Sequence, residues 1–316
     1  MLNRRYLRVK VMQALYGWFL SPENELERFE REMFKSVGKI FVLYLSILKI
    51  LPEFSRLALL QMEQRKEKRL PTQEDLNPNT KFIDNRLVKI IEENSYFNKL
   101  IHAQKISWQN EQGLIRQLFR TVFESNEYEK YMGNESRDFG EDKDFIIAIF
   151  KKYISGNELL HDLLEEQNIH WYGDIILAGI TASKTLERIG EKTLPEKNFL
   201  SGLYKNENED RKFIRNLFRE TAVNHSEYEQ LISEKASNWE IERIAVLDML
   251  LMKMALCELV NFKTIPVKVT LNEYIELSKI YSTPKSKLFI NGVLDKLAIE
   301  LKASGKIVKE GRGLVE

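Results

Sequence analysis

The sequence predicts an all-α protein, and three observations carry that prediction. Apolar residues recur at helical spacing from end to end, as at Leu7, Val11, Ala14 and Trp18 and again at Ile244, Leu247, Leu251 and Met254. Alternating runs of strand character bounded by turn residues are absent. The 7 prolines and 14 glycines gather at breaks between the periodic stretches.

The first helix is NRRYLRVKVMQALYGWF, residues 3–19, closed by Ser21-Pro22. Viewed down its axis, Leu7, Val11, Ala14 and Trp18 form an apolar stripe, and Arg5, Arg8 and Tyr16 share the neighbouring face. Arginine offers planar, multi-donor contacts to phosphate and base edges, and tyrosine stacks on an unpaired base, so the helix suits a single-stranded RNA grip. Taken alone, the pattern fits equally an anionic membrane surface or an acidic partner helix.

A long helical region follows over residues 25–69, kinked or divided by Pro52. Residues 71–80, PTQEDLNPNT, make the clearest linker, and residues 133–140 and 202–210 are the next loops. The chain also carries a degenerate internal repeat. Phe145, Ile146, Phe150, Leu163, Leu164, Trp171 and Ile176 reappear 68 residues later, without a gap, as Phe213, Ile214, Phe218, Leu231, Ile232, Trp239 and Ile244. A looser echo relates residues 115–120 (IRQLFR) to residues 214–219 (IRNLFR). Near the C-terminus, Pro266 opens a helix containing Leu271, Ile275 and Leu277, and Thr283-Pro284 marks another start, with threonine as cap and proline in the first turn. Lys285 and Lys287 precede Phe289 with no neighbouring acid. Gly292, after Asn291, costs a helix about 1 kcal/mol relative to alanine, which implies close helix packing or close approach of the backbone to a ligand.

Composition narrows the function classes. The 43% hydrophobic and 30% charged fractions fit a folded, soluble protein. The net charge of +1 is unevenly spread: residues 1–20 hold Arg4, Arg5, Arg8 and Lys10 with no acid, residues 261–309 stand at +5, and residues 21–260 at −7. Basic ends around an acidic middle suggest ends that meet to hold a polyanion. Cys257, the single cysteine, lies in an apolar helical stretch and is expected as a buried structural thiol. Residues 11–20 and 40–51 are apolar but interrupted and short, so no membrane segment is expected. His102, His161, His170 and His225 are scattered, and no Gly-rich phosphate loop or nucleophile elbow occurs, so neither an enzyme nor a metal site nor a cofactor is expected.

The blocks at the two ends form a recognisable set. Residues 238–244 (NWEIERI), Asp248, residues 254–259 (MALCEL), 265–269 (IPVKV), 271–273 (LNE), 276–279 (ELSK) and 289–295 (FINGVLD) resemble, in order and spacing, the signature blocks of NusB proteins, and residues 3–20 resemble that family's arginine-rich first helix. The resemblance implies a NusB-like helical bundle. Here an added helical region is inserted between the N-terminal helix and the C-terminal signature half. It implies a bacterial, cytoplasmic RNA-binding transcription antitermination factor that grips boxA-like single-stranded RNA together with the ribosomal protein NusE. Such a factor supports the transcription elongation complex on ribosomal RNA operons. By position it assigns Arg4, Arg5, Arg8, Gln13, Tyr16, Lys285, Lys287 and Phe289 to RNA, and Tyr16, Glu242 and Asp248 to the partner. Tyr6 and Leu7 interrupt the denser arginine run of many relatives, and Lys285 stands where some carry an acid. The expected division is residues 1–20, a basic helix of the RNA-binding unit; 21–204, an acidic helical expansion; 205–305, the NusB-like C-terminal half; and 306–316, a tail. A non-catalytic helical scaffold without specific RNA binding is the alternative.

Overall fold

The computed structural model describes every residue except 24, 237–243 and 316. The described residues are helical throughout, with no strand among them. In chain order the helices are α1 (Arg4–Leu20), α2 (Leu26–Leu48), α3 (Ile50–Lys66), α4 (Gln73–Leu76), α5 (Arg86–Glu93), α6 (Ser95–Ala103), α7 (Gln112–Phe123) and α8 (Asn126–Gly133). They continue as α9 (Phe139–Ile149), α10 (Glu158–Gln167), α11 (Ile175–Arg188), α12 (Glu207–Val223), α13 (His225–Lys235), α14 (Val246–Asn261), α15 (Val267–Tyr281) and α16 (Ser286–Ala303).

Local signals set the boundaries. Asn3 caps α1 by accepting the Tyr6 amide at 3.0 Å, and the backbone turns extended at Ser21. Proline lacks an amide donor and so suits a first helical turn; accordingly α2 ends at Leu48, and Pro52 sits in the opening turn of α3 rather than in a kink. The expected linker at 71–80 contains a one-turn helix, because Thr72 and Asp75 close a reciprocal capping box. Pro266 directly precedes α15, as expected. The start expected at Thr283-Pro284 shifts to Ser286: Thr283 Oγ1 lies 2.8 Å from Ser286 Oγ instead of capping the helix.

The chain forms two compact units. The middle unit comprises residues 38–203 together with Met1, and the terminal unit comprises residues 2–37 and 204–316. Residues 21–37 thus join the first helix rather than the expansion, because the early part of α2 packs on α12. Arg215 and Arg219 both donate to Glu30, and the Arg211 guanidinium lies 4.6 Å from the Phe34 ring. Residues 306–316 belong to the same unit rather than to a tail. The Glu310 amide donates to the Lys263 carbonyl at 3.0 Å, and half-buried Lys309 donates to the Phe262 carbonyl at 3.0 Å at the C-terminal end of α14.

In the terminal unit, α14 is buried on all sides from Leu250 to Leu259, its charged Lys253 and Glu258 included, with α1, α12, α13, α15 and α16 packed around it. Contributions from Leu7, Val11 and Leu15 of α1 and from Ile214, Leu217 and Phe218 of α12 complete this core. The middle unit has its own core, in which Tyr131 stacks on Phe145 at 4.0 Å. The 68-residue repeat has a structural counterpart across the units. Helix α9 begins at Phe139 and α12 at Glu207, 68 residues on. Each presents a buried aspartate one turn in, Asp142 and Asp210. Each aspartate pairs at 3.2 Å with the Nε of an arginine that opens a helix capped by asparagine, namely Asn85-Arg86 in α5 and Asn3-Arg4 in α1.

Candidate nucleic-acid interface

The three N-terminal arginines all have carboxylate partners. Arg4 pairs with Asp210 and lies 4.2 Å over the Phe213 ring. Arg5 donates through Nε and a terminal nitrogen to the two Glu273 oxygens at 3.0 and 2.8 Å, a fork that holds its pKa above the ordinary value. Arg8 is 2% exposed. It makes the same bidentate contact, at 2.8 and 2.7 Å, with Glu258, which is fully buried and accepts as well from Thr270 at 2.9 Å and Tyr274 at 3.2 Å. Burial pushes the Arg8 pKa down, and the Glu258 hydrogen bond together with the charges of Glu258, Tyr274 and Glu273 more than reverses it. Arg8 therefore departs from the RNA role expected of it: a side chain spent inside the fold offers no donor to a phosphate. Lys10 is likewise buried.

The exposed part of the candidate face lies at one end of the unit, as helix directions show. Along α1 the contacts run from Arg8 with Glu258 to the Phe19 ring, 4.9 Å from Lys253, so α1 and α14 are antiparallel. Along α14 they run from Asp248 with Ser282 to Glu258 with Tyr274, so α14 and α15 are antiparallel too. Helix α1 therefore runs alongside α15 in the same direction. The Gln13–Tyr16 turn, roughly 16 Å beyond Arg5 at about 1.5 Å per residue, lies toward the corner where α15 meets α16. Gln13 is exposed and Tyr16 is 41% exposed. At the corner Lys285 and Lys287 are exposed and have no carboxylate partner among the described residues, and Phe289 is half-buried.

Asp248 holds this corner. It is 5% exposed in the first turn of α14 and accepts from Ser282, whose Oγ lies 3.0 Å from Ser286 Oγ at the start of α16. A carboxylate in a helix's first turn is also favoured by the exposed amides there. Its geometry differs from the expected exposed rim of a partner site. Glu242 lies outside the described residues.

Of the two reasons expected for Gly292, one falls away. A Cβ built on it meets nothing within 4 Å, so tight helix packing is not its reason. It is exposed and shares a helical face with Lys285 and Leu288, itself 73% exposed, at spacings of seven and four. Arg312 was not anticipated. Together with Arg4, Arg5, Phe262, Pro266 and Glu273 it lines a cleft of about 890 Å³, and it has no carboxylate partner among the described residues. Its signal, one arginine among the last glycines, is too weak to read from sequence. Burial pushes the Cys257 thiol up to about 12, which fits the structural role expected of it. No group of three or more metal-ligating side chains occurs among the described residues, and no helix among them is long and apolar enough to cross a membrane.

Part of the chain is similar to known proteins. Residues 177–298 match the NusB family model, beginning inside α11 and extending to α16. The transcription antitermination protein NusB of Salinibacter ruber is 46% identical over 105 residues, which is 33% of this chain and 66% of that protein. That of Chloroherpeton thalassium is 40% identical over 104 residues, 33% of this chain and 49% of that protein. That of Syntrophotalea carbinolica is 38% identical over 88 residues, 28% of this chain and 56% of that protein. The chain thus spans between about half and two thirds of the length of the curated relatives it matches. No solved structure matches.

Proposed function

Because the chain carries a NusB-family domain over residues 177–298, we propose that it is a non-catalytic RNA-binding transcription antitermination factor. It takes boxA-like single-stranded RNA together with the ribosomal protein NusE and acts with the transcription elongation complex on ribosomal RNA operons. The observation that carries the reading is the exposed Lys285–Lys287 pair beside Phe289, without a carboxylate partner among the described residues, at the end of the unit toward which Gln13 and Tyr16 lie. Cations without internal partners are available to phosphates, and aromatic rings beside them offer stacking to unpaired bases. Exposed Gly292 on the same face lets a strand approach the backbone of α16 closely. Arg4 and Arg5 enter the site only by exchanging Asp210 and Glu273 for phosphate, so they are secondary contacts, and Arg8 holds the scaffold beneath them.

For the partner, Tyr16 and Glu242 keep the role that the resemblance gives them. Asp248 acts on the partner face through the corner it fixes. The test is binding to boxA-like and scrambled RNA, with and without NusE, for the wild type and the Lys285→Glu/Lys287→Glu variant. The wild type is expected to prefer boxA-like RNA, more strongly with NusE, and the variant to lose about tenfold or more. Equal, salt-insensitive retention of both RNAs would instead leave the helical scaffold as the reading.

A further inference from the structure

We propose that the middle unit carries a second track for single-stranded RNA, in the groove bordered by the α2–α3 junction and the loop that follows α6. Two clefts of about 750 and 210 Å³ adjoin at Lys105, Ile106 and Ser107, which line both, and together they make up the proposed groove. Its cations are Lys49 and Arg56 in the first cleft, Lys39 in the second and Lys105 in both, and its one lining acid is Glu53. Glu53 is already shared between Lys49 at 3.6 Å and Arg56 at 2.9 Å. Lys39 and Lys105 have no carboxylate partner among the described residues. Composition does not explain this lining, because residues 38–203 hold 23 basic and 25 acidic side chains.

The groove also holds donors and acceptors suited to base edges. The side-chain amides of Gln104 and Gln109 have no partner among the described residues. Glu111 reaches the rim only through the Gln167 amide at 3.1 Å. The loop is held rigidly: the buried Trp108 indole donates to the Ser46 carbonyl at 3.0 Å, and the Ile106 amide donates to the Ile101 carbonyl at 3.0 Å. Lys105 itself adopts φ 53°, the left-handed conformation that commonly closes a helix, and here it ends α6 and starts the loop. Cations that follow a backbone, with amides between them, are the chemistry of a single-strand groove. This track goes beyond the boxA site: it adds length to the RNA footprint rather than sequence preference.

The experiment uses the full chain and two probes, a mixed-sequence single strand of about 30 nucleotides containing 4-thiouridine and a boxA-like strand of about 12. In the Lys39→Glu/Lys105→Glu variant, binding of the longer strand is expected to weaken about fivefold near 0.1 M salt. The slope of log affinity against log salt should shallow by about 1.4, at ~0.7 for each lost phosphate contact. Crosslinks to the peptide covering residues 98–112 should disappear, while the short strand binds unchanged. The milder Lys39→Gln/Lys105→Gln variant, which leaves the fold less perturbed, should shift binding in the same direction. Unchanged binding of the longer strand by both variants would overturn the track, as would polyglutamate competing for the groove as well as RNA does. Failure of the boxA reading looks different: the short strand would show no preference while crosslinks at 98–112 persist.

Discussion

Two residue-level features give direct predictions. Glu258 is a buried carboxylate with four donors around it, two from Arg8 and one each from Thr270 and Tyr274. Glu258→Ala strands a buried guanidinium and two hydroxyls, so chemical denaturation should show a loss of roughly 3–5 kcal/mol. Replacing the pair outright, Arg8→Met with Glu258→Leu, should cost less, because only the hydroxyls are then left without an acceptor. Glu258, Thr270 and Tyr274 all lie 250 positions or more beyond Arg8, so no local pattern in the sequence separates this internal arginine from a surface one. Lys285 and Lys287 were legible for the opposite reason: no acid lies near them in the chain, and none among the described residues reaches them in space. His225 supplies a pH dependence. Its ring lies 5.8 Å from Trp18 and 5.5 Å from Phe19, and burial, with Lys253 nearby, lowers its pKa. The unfolded chain then takes the proton first, so the stability His225 contributes is present above the ordinary imidazole value and lost as pH falls through it toward the folded value. The drop in Tm between about pH 7.5 and about pH 5.5 should therefore be smaller in His225→Phe than in the wild type.

At the level of elements, the helix ends at Asn3 and Pro266 were readable because capping asparagine and first-turn proline act locally. The start of α16 was not, because Ser282, Thr283 and Ser286 are recruited into the corner that Asp248 fixes from another helix. That corner makes Gly292 a sharp test. With open space around its Cβ position, Gly292→Ala should raise stability by about 1 kcal/mol on thermal unfolding. If RNA passes over this face of α16, the same change should weaken boxA binding; an equally tight variant would move the strand elsewhere. Salt dependence probes α1. About four to six phosphate contacts among Arg4, Arg5, Arg8, Lys10, Lys285 and Lys287 would give a slope of roughly −3 to −4; because Arg8 and Lys10 are buried, Lys285 and Lys287 alone give about −1.4 for a short strand. Each further ~0.7 counts one arginine that has left its carboxylate, and Arg5→Ala shows whether Arg5 is among them.

For the whole molecule, the all-helical class and the two basic ends were visible in periodicity and charge, whereas the boundaries of the two units were not. Residues 21–37 read as part of an acidic expansion, and it takes contacts such as those of Glu30 and Phe34 with α12 to tie them to the terminal unit. The terminal unit is split in sequence, with residues 2–37 made first and 204–316 last. This split imposes an order in time. On the ribosome α1 emerges without α12 or α14, and at about 5–20 residues per second it waits roughly 10–30 s while residues 38–203 are made. Leu7, Val11 and Leu15, fully buried in the finished protein, stand uncovered throughout that interval. Collapse of the middle unit meanwhile shortens the flexible path between the two halves of the terminal one, lowering the entropy of bringing them together. Pulse proteolysis of stalled chains ending near residue 240 should find the middle unit protected and α1 cleavable, with α1 becoming resistant only once α14 has left the tunnel. A circular permutant that begins at residue 204 and runs on from residue 316 through residue 2 would remove the wait, and should yield more soluble protein wherever chaperones are scarce.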